Sequence, residues 1–132
     1  MTTPQPIVLA VDDEPAILEL TRWTLRRDFQ VITATGGAQG LILLDTHAVA
    51  LVISDLRMPG MSGLEFLAEA RERHPHVVRV LSTAYTTHDD ALRAVNEVGV
   101  FKVIAKPWMP GDLVEVVRDG LGHWPKPGQK GT

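Results

Sequence analysis

Five short apolar runs recur along the chain: Ile7–Val11, Phe29–Thr33, Val49–Ile53, Val77–Leu81 and Val100–Ile104. Most are rich in Val and Ile, and several are apolar at consecutive positions instead of alternating. That pattern predicts strands buried on both faces, as in a parallel sheet. The second run, F-Q-V-I-T, is more mixed and suits an edge.

Segments of helical length separate the runs. Pro15 stands well at an early helical position, where its missing N–H costs nothing. Ile17, Leu18, Thr21, Thr24 and Leu25 then share one face, with Trp23 on the opposite side. Gly37–His47 carries L-I-L-L, and its place in the alternation makes it a helix. Ser62 and Glu65 have capping-box spacing ahead of Leu64, Leu67 and Ala68. Ala91, Leu92, Val95 and Val98 line up before Gly99, a helix stop. A last helix begins near Pro110 and places Leu113, Val114, Val116, Val117 and Leu121 at core-compatible spacing.

A β-α unit repeated five times with short connections requires crossovers. Right-handed crossovers put helices on both faces of the sheet, so the expected fold is a doubly wound α/β sandwich. Ligands of such sheets bind beyond the carboxyl ends of the strands. Residues 1–6 read as an N-terminal extension, 7–121 as one domain, and 122–132 (W-P-K-P-G-Q-K-G-T within it) as a tail or linker.

Composition narrows the classes. At 132 residues, 45% hydrophobic and 22% charged, the chain suits one soluble domain. With no cysteine, disulfides and thiolate metal sites are excluded. No signal peptide or membrane-length apolar run is visible, so a cytoplasmic location with no membrane association is expected. A net charge of −3 argues against nucleic-acid binding through a basic surface. His47, His74, His76, His88 and His123 lack ligand spacing and read as solvated.

The placement of polar residues says more than their number. Asp12 and Asp13 follow the first run, Asp55 the third, Thr83 the fourth and Lys106 the fifth. Separate strands thus bring chemically capable groups to one sheet edge. The set suits phosphoryl transfer to a carboxylate, in which repulsion between the nucleophile and the phosphoryl oxygens must be neutralised. Asp13 and Asp55 with one backbone carbonyl suit Mg²⁺, Lys106 adds a mobile positive charge, and the Thr83 hydroxyl can donate to a phosphoryl oxygen.

The segments V-L-A-V-D-D-E-P, I-S-D-L-R-M-P-G-M-S-G, L-S-T-A-Y and V-I-A-K-P-W, in this order, resemble the signatures of response-regulator receiver domains. The resemblance runs from about Ile7 to Leu121. It implies a flavodoxin-like five-stranded parallel sheet of order 2-1-3-4-5 and a Mg²⁺-dependent module of two-component signalling. Asp55 would be the phosphoacceptor, and Asp12, Asp13, Asp55 and the Arg57 carbonyl the metal ligands. Thr83 would be the switch hydroxyl, Lys106 the phosphoryl-pairing lysine, and Pro107 a cis proline. Arg57 and Tyr85 would flank the path of hydrolytic water and tune the phosphoryl lifetime.

The implied partners are a sensor histidine kinase or histidine phosphotransfer protein, an output domain or downstream protein, and a phosphorylation-dependent second copy. Trp23 and Trp108 are candidate anchors for the histidine-bearing partner. The module would phosphorylate and dephosphorylate itself without separate substrate turnover. The family usually carries Tyr or Phe three residues before the lysine; here that residue is Val103, with Phe101 the nearest aromatic. Val103 has no chemical role, so the departure bears on coupling from Thr83 to an output face. A Mg²⁺-dependent phosphohydrolase is the competing class, but Arg57 stands where an aspartate-nucleophile phosphatase needs a second acid. A degenerate receiver acting by constitutive contacts is disfavoured by the complete acidic and basic set.

Overall fold

The computed structural model of the protein describes residues 5–84 and 88–122. Strands β1 (Ile7–Val11), β2 (Gln30–Ala34), β3 (Val49–Asp55), β4 (Val78–Thr83) and β5 (Lys102–Ala105) alternate with helices. These are α1 (Pro15–Leu25), α2 (Gly37–Thr46), α3 (Gly63–Arg73), α4 (His88–Asn96) and α5 (Pro110–Leu121). All pairings are parallel, in the order β2-β1-β3-β4-β5. The mixed second run is an edge strand, and β3, the central strand, is buried at every position. Four of the strands lie one or two residues later at one or both ends than the apolar runs suggest. Asp55 and Thr83 therefore close their strands instead of following them.

The pleat divides the core in two. On one side Leu9, Val11, Val52 and Leu81 pack against Leu41 and Leu44 of α2, Phe66 and Leu67 of α3, Ala94 of α4 and Val98 just beyond it. On the other, Val8, Leu51, Ile53, Val80 and Ile104 pack against Leu25 of α1 and Leu113, Val117 and Leu121 of α5. Because alternate side chains face opposite ways, Asp55 and Lys106 fall on the α1/α5 side with Ile53 and Ile104.

Local chemistry starts and stops the helices where the pattern requires. Pro15 and Pro110 occupy the first turns of α1 and α5. Ser62 Oγ accepts from the Glu65 amide while the Glu65 carboxylate accepts from the Ser62 amide, a complete capping box. After α4, Gly99 adopts φ +69°, a conformation that disfavours any side chain. Two expectations need correction. Leu92 and Val95 of α4 are exposed, and Ala94 with Val98 makes the contact. The helix packs over β5, a four-residue edge strand too short to cover its whole apolar arc. His74 is also not simply solvated: it caps α3 and lies 2.7 Å from Asp45 of α2.

Candidate functional site

Asp12 leaves β1 with its amide donating to the Ala34 carbonyl at 3.1 Å, so the β1–β2 ladder fixes its backbone. Its side chain is then held from two directions. Oδ1 accepts from the Glu14 amide at 2.9 Å, where α1 begins, and Oδ2 accepts from Lys106 Nζ at 2.7 Å. Asp12 is therefore a buried, doubly tied carboxylate. Lys106 also donates to Asp55 Oδ1 at 3.1 Å. Its own backbone is set by an amide hydrogen bond to the Thr83 carbonyl at 3.0 Å and by the cis Lys106–Pro107 peptide.

The main chain around Asp55 is equally constrained. Ser54 Oγ donates to the Asp55 carbonyl at 2.9 Å, and the Gly63 amide donates to the Leu56 carbonyl at 2.7 Å. A Cβ on Gly63 would collide with the carbonyl oxygen of Asp55. The start of α3 thus rests directly on the backbone that presents Asp55.

Asp13, exposed beside Asp12, completes a trio: one carboxylate oxygen each of Asp12, Asp13 and Asp55 lies within 4.8 Å of the others. Three carboxylates against one ammonium leave the corner negative. The donors are hard oxygens, two of them buried and one open to solvent, which fits a divalent ion that keeps part of its water shell. Burial pushes the Asp55 carboxyl above its ordinary value, although Lys106 opposes the shift. For Lys106, burial disfavours the charge, but hydrogen bonds to Asp12 and Asp55 outweigh it and raise the ammonium above its ordinary value. The side chains of Lys106 and Asp55 are each 11% exposed.

Thr83 is buried at the end of β4. Arg57, two residues past Asp55, has an exposed side chain. Tyr85 lies outside the described residues. Val103 is half-buried against the α2/α3/α4 core, and Phe101 is exposed. Trp23 is 65% exposed on α1, with the Arg26 guanidinium 3.4 Å from its ring centroid. Trp108 is different, being half-buried against the α1/α5 core. Sequence reasoning missed Gly63 and Ser82. Ser82 was legible in principle, as a polar residue at a sheet-facing position of V-R-V-L-S-T.

Comparisons with known proteins agree with this geometry. The family model described as response regulator receiver domain matches residues 8–118. A hydrogenase transcriptional regulatory protein, HoxA of Cupriavidus necator, is 40% identical over 121 residues, covering 92% of this chain and 25% of HoxA. The chain thus spans about a quarter of the length of that curated relative. The signal receiver domain of an HD domain-containing protein from Pseudomonas fluorescens superposes with a TM-score of 0.86 at 30% identity, covering 90% of this chain and 96% of the other. The response regulator protein TrrA from Thermotoga maritima, solved with Mg²⁺ and BeF, gives a TM-score of 0.79 at 31% identity, over 88% of this chain and 99% of TrrA. No helix among the described residues is long and apolar enough to cross a membrane. With strand order, acidic corner and family model in agreement, the chain belongs to the response regulator receiver domains, signalling modules of two-component systems.

Proposed function

We propose that Asp55 is the phosphoacceptor of this receiver. The observation that carries the reading is the Lys106 ammonium held on Asp55 Oδ1 and Asp12 Oδ2, three strand ends meeting at one point. An Asp55 oxygen attacks the phosphorus of a phosphohistidine; the P–N bond breaks and its electron pair leaves with the imidazole, giving an acyl phosphate. Asp12, Asp13 and Asp55 would hold Mg²⁺ with the Arg57 carbonyl, and the ion, when bound, neutralises charge on the phosphoryl oxygens. Lys106 keeps a positive charge at the nucleophile throughout. The Thr83 hydroxyl donates to a phosphoryl oxygen and so registers the modified state.

Residues 7–121 form the domain, with 1–6 an extension and 122–132 a tail or linker. The donor is a sensor histidine kinase or histidine phosphotransfer protein, docking over α1 with Trp23 as an anchor. HoxA, named as a transcriptional regulator, favours an output domain or downstream protein acting in transcription. Phosphorylation-dependent pairing of two copies and a cytoplasmic location belong to the same reading. Arg57 and Tyr85 flank the approach of hydrolytic water and set the lifetime of the acyl phosphate.

Acetyl phosphate with Mg²⁺ should add one phosphoryl group, read by intact mass. The addition should vanish with Asp55→Asn and with a chelator. Modification that survives Asp55→Asn places the acceptor elsewhere.

A further inference from the structure

Beneath the acidic corner lies a polar group that the reading above leaves unused. Ser82 in β4 is paired in register with Asp55 in β3. Two positions along the strand from Val80, it faces the α1/α5 side of the sheet, as Asp55 does. It is 4% exposed, and among the described residues its Oγ is the one buried side-chain polar atom without a hydrogen-bond partner. Nearly all buried polar groups find a partner, so this hydroxyl calls for one.

A cavity of about 10 Å³ offers it. Ser82, Asp12, Asp55, Thr21, Trp108 and Leu113 contribute to its wall. That space is close to the minimum for one water, which also needs two to four polar partners. The polar lining supplies them. Ser82 Oγ–H can donate to the water, and the water can donate to Asp12 and to Asp55, each of which keeps free lone pairs beside its bonds to Lys106. Every hydrogen then has an acceptor.

We propose that Ser82 is a positioning residue for the phosphoacceptor, holding one resident water that fixes the Asp55 carboxylate from beneath. Fixing that rotation keeps the attacking oxygen turned toward the mouth of the site. The inference rests on Asp55 as the phosphoacceptor. Ser82 itself touches neither donor nor phosphoryl group, so its effect falls on the rate of the step and not on donor binding.

Two measurements on the whole chain decide it. Water-selective NMR exchange spectra should show a long-lived water at the Ser82 and Ile53 amides in the wild type, lost in Ser82→Ala. With acetyl phosphate and saturating Mg²⁺, Ser82→Ala should lower the maximal phosphorylation rate about fivefold, with the half-saturating donor concentration unchanged. No resident water in the wild type overturns the proposal. So does a Ser82→Ala rate within about twofold of wild type, or a loss confined to donor half-saturation. Asp55→Asn, run in parallel, separates the two readings: continued phosphorylation there defeats the phosphoacceptor assignment, while the water signal in the wild type still reports on Ser82.

Discussion

Two carboxylates with cationic partners sit at different places in this molecule and behave in opposite ways. At the ends of α2 and α3, Asp45 accepts from Arg73 at 2.8 Å and lies 2.7 Å from His74 Nε2, all three partly open to solvent. The His74 hydrogen bond, helped by Arg73, holds the Asp45 carboxyl below its ordinary value. At the strand ends, Asp55 also has a hydrogen-bonded cation, Lys106 at 3.1 Å, yet burial holds its carboxyl above the ordinary value. A cationic partner alone does not decide the sign; the water that each carboxylate keeps does. The first cluster is a tie between helices. The second is a place where negative charge is costly and an added cation is welcome.

The largest expected effect tests that distinction by removing the shared cation. Lys106→Met leaves Asp12 and Asp55 facing each other in a buried corner and should cost about 3 kcal/mol in urea unfolding with EDTA present. Added Mg²⁺ should restore more stability to the variant than to the wild type. An equal gain in both would separate the carboxylates from the ion.

Next comes Asp55→Asn. Because the folded protein raises this carboxyl, the acid form stabilises the fold below the ordinary value of 3.8, and the benefit is lost as pH rises through the folded value. Without Mg²⁺ at neutral pH, the variant should therefore melt higher than wild type, by on the order of 3 °C. The gap should close as pH falls below 3.8. A variant that melts lower at neutral pH would show that the Lys106 pairing outweighs burial.

The smallest effect belongs to the exposed cluster. Asp45→Ala should shift the melting temperature by at most about 1 °C at neutral pH. Its lowered carboxyl contributes stability above the ordinary value of 3.8 and loses it as pH falls through the folded value, the reverse of Asp55. Thermal melts of the variant across acid pH would show the two clusters moving in opposite directions.

Periodicity carried the strand and helix order because several strands are apolar at consecutive positions and the connections between elements are short. The strand-end positions of Asp12, Asp55, Thr83 and Lys106 followed from that order, before any contact was visible. Less legible were features that depend on three-dimensional approach. Nothing in G-M-S-G shows that Gly63 lies against the Asp55 carbonyl, and nothing in D-D-E shows that Asp12 turns back to the Glu14 amide. The α4 face misled because helical spacing locates an apolar arc but not how much of it its neighbours cover; Ala94 and Val98 reach the core, and Leu92 and Val95 stay outside. His74 was misread for a related reason, since its partner Asp45 lies on a different helix.

The obstacle at Gly63 is main chain, the carbonyl of Asp55 itself. A crowding side chain elsewhere can be trimmed by a second substitution, so a lost fit can be recovered along the lineage. Here no neighbouring residue can be made smaller to admit a β-carbon. In a library of all single and paired substitutions, this codon should tolerate only glycine, and suppressors should be scarce unless they shift α3 as a whole.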